Sequence, residues 1–194
     1  QRAGTFARAW QALPAAPPSD RMALQRAALG IVDFIQREWS HNSGGFYSSL
    51  DADSEGVEGK YYIWTAEELR AVLTKEEYRL CEQAYAVDGK SAWDEYESEA
   101  KANVLMKWAS DKSIATSLDR EPEAFRAELE PVHAKLRAER KERVAPGLDD
   151  KILSAWTALM ASGLITTGTI FNRTEDIDRA RQALDFILGT QRRA

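Results

Sequence analysis

At two well-separated places in the chain, apolar residues fall at offsets 0, 4, 7 and 11. The first set is Leu24, Ala28, Ile31 and Ile35; the second is Phe125, Leu129, Val132 and Leu136. That spacing lines up one face of an α-helix and no face of a strand, so such a chain must bury helix faces against one another. A third face, Ile177, Ala180, Leu184 and Ile187, lies near the end, with Arg179, Arg181 and Gln182 off it. Residues 152–171 carry no charge, but they include six hydroxyls (Ser154, Thr157, Ser162, Thr166, Thr167 and Thr169) and two glycines (Gly163 and Gly168). Those residues argue against a membrane span and for a helix buried in protein, with its body over 152–165.

Local signals set the expected helix ends. Pro14, Pro17 and Pro18 break the chain early, and Ser19 and Asp20 are good caps for a helix running to near Ser40. Thr65 with Glu68, and Thr74 with Glu77, each read as a capping box, opening helices through Leu73 and to about Ala86. Past Pro122 a helix resumes, with Pro131 expected to kink or interrupt it, and it runs through the charged segment 137–143 to the break at Pro146-Gly147. Asp149 or Asp150 is expected to cap the next helix. Residues 87–118 are hard to read: a turn at Asp88-Gly89, a charged stretch over 94–101, and a short extended piece at Asn103-Val104-Leu105.

The period changes at residues 46–50 and 61–64, two short runs rich in aromatic and β-prone residues. They predict a small β-hairpin insert over 46–64 carrying a glycine-punctuated acidic loop. The class is therefore mainly α, helix after helix with one hairpin inserted, in a single partial domain. The 44% hydrophobic content excludes a disordered chain. With 26 Lys+Arg against 31 Asp+Glu, the net charge of −5 and the lack of a basic block disfavour nucleic acid or an anionic membrane as partner. One cysteine, Cys81, excludes an internal disulfide and any CxxC site and is compatible with a reducing compartment; the expected setting is cytoplasmic. The first ten residues lack the apolar core of a signal peptide, and the missing initiator Met suggests a processed product or a piece of a longer chain.

The acidic loop is the strongest candidate site. Asp51, Asp53, Glu55 and Glu58 put four carboxylates within eight residues, a spacing that is costly unless solvent, a cation or a basic partner relieves it. Asp51, Asp53 and Gly56 match positions 1, 3 and 6 of an EF-hand, but Tyr62 stands where the bidentate Glu belongs, so an EF-hand is excluded and only a looser cation site remains as one reading. The other is carbohydrate chemistry, which uses a pair of carboxyl groups. In an extended chain Asp51 and Asp53 would point the same way ~7 Å apart. Two aspartates on one strand would not flank a bond, so the partner is sought at Asp149 or Asp150. Tyr47, Tyr61, Tyr62 and Trp64 could offer flat apolar surfaces to a sugar ring. Arg143 could pair with one of the acidic segments. Neither His41 nor His133 has metal-ligand spacing, so both read as surface residues, and Cys81 reads as a buried hydrophobe. No phosphate loop follows any of the glycines.

Two segments carry a resemblance. Residues 44–65, from Gly44-Gly45-Phe46-Tyr47 through Asp51-Ala52-Asp53 to Tyr61-Tyr62-Ile63-Trp64-Thr65, resemble the signature of the thioredoxin-domain-containing DUF255 family, which includes YyaL-type proteins and the spermatogenesis-associated protein 20 group. Residues 143–151, followed by Ala155-Trp156 and Leu159-Met160, resemble a second stretch of that family, with Thr157-Ala158 where the family has Asn-Gly. The resemblance implies part of an (α/α)6 toroid of the six-hairpin glycosidase-like type, without the thioredoxin-like domain that precedes it. With the acidic loop facing the cup of such a toroid, acid/base work on a sugar or polyol, hydrolysis or epimerisation, would fall to Asp51, Asp53 and Asp149 by analogy of fold. Substrate binding would then fall to Tyr47, Glu55, Tyr61, Trp64, Asp150 and Lys151, with no cofactor and no assigned metal. The rival expectation is a non-catalytic helical scaffold or binding module serving an adjacent thioredoxin-like domain. Helices cut off from missing hairpins would expose apolar faces and favour self-association.

Overall fold

The computed structural model describes residues 1–87 and 102–190. In chain order the helices are α1 (Arg2–Ala12), α2 (Pro18–Glu38), α3 (Ala66–Val72), α4 (Lys75–Ala84), α5 (Asp111–Ser117), α6 (Pro122–Lys141), α7 (Ser154–Phe171) and α8 (Thr174–Thr190). The strands are β1 (Ser49–Leu50), β2 (Asp53–Ser54), β3 (Val57–Glu58), β4 (Ile63–Thr65), β5 (Ala102–Val104) and β6 (Leu148–Asp149), with a 3₁₀ turn at Lys60–Tyr62. The structure is mainly helical, with a few small antiparallel strand pairs. It falls into two compact units, one made of residues 1–50 and 148–194, the other of residues 51–147.

In the first unit α7 packs along α8, and α1 packs against both α2 and α7. The core is Ala3, Val32, Ile35, Phe46, Ala161, Leu164, Ala180 and Ala183. Helix α7 was expected to be interior on all sides. Instead its buried side is Thr157, Ala161, Gly163, Leu164, Thr167 and Gly168, while Trp156 is 52% and Leu159 46% exposed. Small residues win that face because they let backbones approach. A Cβ placed on Gly4 would stand 3.5 Å from the Gly163 Cα, and one on Gly168 only 2.7 Å from Ile177 Cγ1 and 2.8 Å from the Arg173 carbonyl. The buried Thr167 hydroxyl donates to the Gly163 carbonyl at 3.1 Å. After α7, Asn172 takes the left-handed conformation (φ 55°) that stops the helix. Asp176, wholly buried on α8, accepts a 3.0 Å hydrogen bond from Gln36 Nε2 and lies 3.1 Å from Arg173 Nε. Burial pushes its carboxyl above the ordinary value, against the pull of Arg173.

The second unit is centred on Leu69, Cys81, Ile114, Phe125, Leu129 and Val132. Both expected capping boxes form: Thr65 accepts from the Glu68 N–H at 3.1 Å, and Thr74 from the Glu77 N–H at 3.2 Å. Pro131 does not interrupt α6. The carbonyl deprived of its partner belongs to Ala127, which is exposed and can turn to water. The extended piece around Asn103 is β5, while the turn at Asp88-Gly89 and the stretch 94–101 lie outside the described residues. Helices α1 and α5 carry no long apolar periodicity and were not expected.

The hairpin over 46–64 is not the pairing found. β1 pairs with β6, Ser49 opposite Asp149, and β4 pairs with β5, Trp64 opposite Asn103. Inside the acidic loop β2 and β3 form a tighter hairpin of their own. Its two turn residues, Glu55 (φ 54°) and Gly56 (φ 75°), both have positive φ, the geometry that matches strand twist in a two-residue turn. A local turn of this kind closes before the flanking aromatic runs can meet, so each run takes a partner distant in sequence.

Candidate functional site

Asp51 and Asp53 do not lie side by side on a strand. The Asp51 N–H donates to the Gly147 carbonyl at 2.7 Å, and the Asp53 N–H donates to Asp51 Oδ1 at 3.3 Å. Asp51 thus opens an Asx-type turn, which bends the chain where an extended run was expected. Both aspartates are exposed, as is Glu58. Glu55 sits at the hairpin tip and pairs with Lys60 at 2.7 Å, which relieves part of the repulsion in the loop.

Beside this hairpin is a cavity of about 330 Å³, lined among others by Glu55, Lys60, Tyr61, Thr65, Glu68 and Arg143. Asp51 and Asp53 are not among its lining residues. Arg143 holds its wall together. One guanidinium nitrogen donates to the carbonyls of Ile63 at 2.6 Å and Tyr61 at 3.4 Å, and the other to Glu68 Oε1 at 3.1 Å. Its Cζ lies 4.0 Å from the centre of the Trp64 ring. The expected pairing of Arg143 with the aspartate segments is therefore replaced by Glu68, whose other oxygen accepts from the Thr65 N–H at 2.7 Å in the capping box. Trp64 is only 3% exposed, with the Arg143 guanidinium over its ring, so it offers no open face for a sugar. Tyr61 does line the cavity, its ring edge-to-face with Tyr62 at 5.0 Å.

The remaining expected site residues belong to the other unit. Tyr47 is half-buried against the His41 ring. Asp149 lies in β6, 2.9 Å from Lys151 Nζ, and the hydrogen bond from Lys151 holds its carboxyl below the usual value. Neither Asp149 nor Asp150 caps α7, which starts after Leu153 without a side-chain cap, because β6 has already engaged Asp149. Asp150 and Lys151 are exposed. The expected set is thus divided, with Asp51, Asp53, Glu55, Tyr61 and Trp64 in one unit and Tyr47, Asp149, Asp150 and Lys151 in the other.

Among the described residues no three His, Cys, Asp or Glu side chains gather as a metal site requires. Cys81 is fully buried, and burial pushes its thiol up to about 12, which leaves it unreactive. His41 sits in its polar turn, its Nδ1 accepting from the Ser43 N–H at 3.1 Å. His133 is not a simple surface residue: its Nε2 shares a 2.6 Å hydrogen bond with the Tyr85 hydroxyl, and burial lowers its pKa. Lys60, Glu68 and Arg143 were missed as cavity residues. Glu68 was visible as a cap, but its long-range partner was not.

These observations define a mainly helical protein whose described residues include no helix long and apolar enough to cross a membrane. No family model matches the chain. It is similar to human and mouse spermatogenesis-associated protein 20, 32% identical to each over 182 aligned positions, and these similarities support the group named from the sequence. An uncharacterized protein of Caenorhabditis elegans is 26% identical over 174 positions. The human and mouse alignments cover 82% of this chain and 23% of the relative, so the chain spans about a quarter of their length.

Proposed function

We propose that this chain is a non-catalytic binding module for a sugar or polyol within a carbohydrate-active-like protein of the thioredoxin-domain-containing DUF255 family. The observation that carries this reading is the cavity beside the acidic hairpin. Its rim mixes donors on Lys60 and Arg143 with acceptors on Glu55 and Glu68, next to the Tyr61 ring. Alternating donors and acceptors beside an aromatic face suit the hydroxyl pattern and apolar ring face of a sugar. A volume of about 330 Å³ lies in the range of small-molecule sites.

Acid/base hydrolysis or epimerisation by Asp51, Asp53 and Asp149 has weaker support, since Asp51 and Asp53 are absent from the cavity lining and Asp149 is engaged by Lys151. In this reading α1, α2, α7 and α8 are an arc of an (α/α)6 toroid, and the module serves an adjacent thioredoxin-like domain in the cytoplasm. Exposed apolar side chains on α7 and α8 support self-association as part of it.

The test is titration of the chain with glucose, mannose, glucitol and inositol, followed by amide chemical shifts. Shifts confined to residues near Tyr61, Thr65 and Arg143, with binding weakened about tenfold by Tyr61→Ala, are expected. The absence of any such shift up to ~10 mM ligand, well above a millimolar dissociation constant, would sink the proposal.

A further inference from the structure

A second cavity, of about 380 Å³, lies within the same unit and has a different character. His133, Arg137 and Arg140 line it from successive turns of α6, at spacings i, i+4 and i+7 that place them on one helix face. Tyr62 and Tyr85 line it as well, and Leu105 and Leu136 add apolar surface. From this arrangement we infer that the α6 face carrying His133, Arg137 and Arg140 forms, with the two tyrosines, a binding site for a small organic monoanion, a carboxylate carried on an apolar body.

Arg140 carries most of the argument. Its guanidinium lies 5.4 Å from the centre of the Tyr61 ring and 5.3 Å from that of Tyr62, contacts that restrict where the charge can go. Its Nε is buried and has no hydrogen-bond partner among the described residues. Burying a charged donor without an acceptor is costly, and a turn of the Arg140 side chain that brings its Nε–H to an anion in the cavity removes that cost. The guanidinium fork fits a carboxylate with two parallel hydrogen bonds.

The local charge selects the ligand class. Arg137 lies 4.0 Å from Glu130, and Lys107 and Arg126 are balanced by Asp111 and Glu123 together. Among the described residues that line the cavity, what remains is close to one positive charge, on Arg140, which a monoanion balances and a dianion exceeds. The apolar and aromatic walls then favour a body that is flat or hydrocarbon over a bare inorganic ion.

This inference does not depend on the sugar-binding proposal, since the cavity and its residues are different. Benzoate is the probe, benzamide its uncharged isostere, and inorganic phosphate the competing anion, each titrated into the full chain by calorimetry and amide chemical shifts. Benzoate is expected to bind and to shift resonances of Tyr85 and His133, more weakly as salt rises, while benzamide does not. Arg140→Gln is expected to weaken benzoate at least tenfold, and Arg137→Gln severalfold. Because Arg140 also packs on two tyrosines, circular dichroism first checks that its variant is folded; if it is not, the more exposed Arg137→Gln decides. Equal binding of benzoate and benzamide, unchanged benzoate affinity in the deciding variant, or phosphate binding more tightly than benzoate would each overturn the assignment.

Discussion

The burial of His133, beside the Tyr85 hydroxyl it is hydrogen-bonded to, sets how acid acts on the second unit. Burial pushes the Tyr85 hydroxyl up to about 12, so it stays protonated, and burial also lowers His133 below its ordinary 6.5. Glu130 faces His133 and opposes the shift, while Lys107 and Arg137 add to it. A histidine that binds its proton less readily when folded gives the unfolded chain the advantage in acid, so stability present above 6.5 is lost as pH falls below it. Glu77 and Asp111, whose pKa values are lowered from 4.5 and 3.8, act only in a more acid range. Urea denaturation is therefore expected to show lower stability at pH 5.5 than at pH 7, and His133→Asn should flatten that difference. The residues behind this effect were poorly legible in the sequence. Nothing in the spacing of His133 announces Tyr85, because a partner 48 positions away is chosen by packing. Cys81 was legible, since a lone cysteine among helix-core residues has little else to do.

The two capping boxes were legible at the scale of elements, because a capping box is written within four residues and owes nothing to tertiary structure, whereas the single caps were not: Ser19 and Asp20 lie inside α2 after Pro17, and neither Asp149 nor Asp150 caps α7. The acidic hairpin was less legible than the boxes: the sequence marks a glycine-punctuated loop, but its turn at Glu55-Gly56 and the strands that would pair around it were not written there, since the flanking strands take partners far along the chain. The two capping boxes are alike locally and differ in their distant contacts. Glu77 receives Lys135 Nζ at 2.8 Å between two partly exposed side chains, whereas Glu68 meets Arg143, which is itself bonded to two carbonyls. Thr74→Ala is expected to cost ~1 kcal/mol, the ordinary loss of a cap. Glu68→Ala should cost roughly twice as much, since it removes a cap partner and leaves a charged donor without its acceptor. Thermal and urea unfolding of the two variants compares them directly.

For the molecule as a whole, helical class and the places of α2, α6 and α8 followed from periodicity, while the division into two units did not, because the strands that flank the second unit are only two residues long. Exposed Trp156, Leu159 and Leu188 make the first unit the source of the proposed self-association. Light scattering is expected to show a mass that rises with concentration and falls in Trp156→Ser; a monomer of constant mass at every concentration counts against it. The pairing of β1 with β6 has one more consequence. Leu50 and Leu148 stand opposite each other in this pair, and just beyond them the Asp51 N–H donates to the Gly147 carbonyl, so the chain departs for its long excursion and returns at a single doorway. An excursion anchored in this way can be trimmed, enlarged or exchanged for another without asking the host helices to move, as is usual where two chain ends meet side by side. The four helices and the carboxylate-bearing excursion are thereby free to change at different rates.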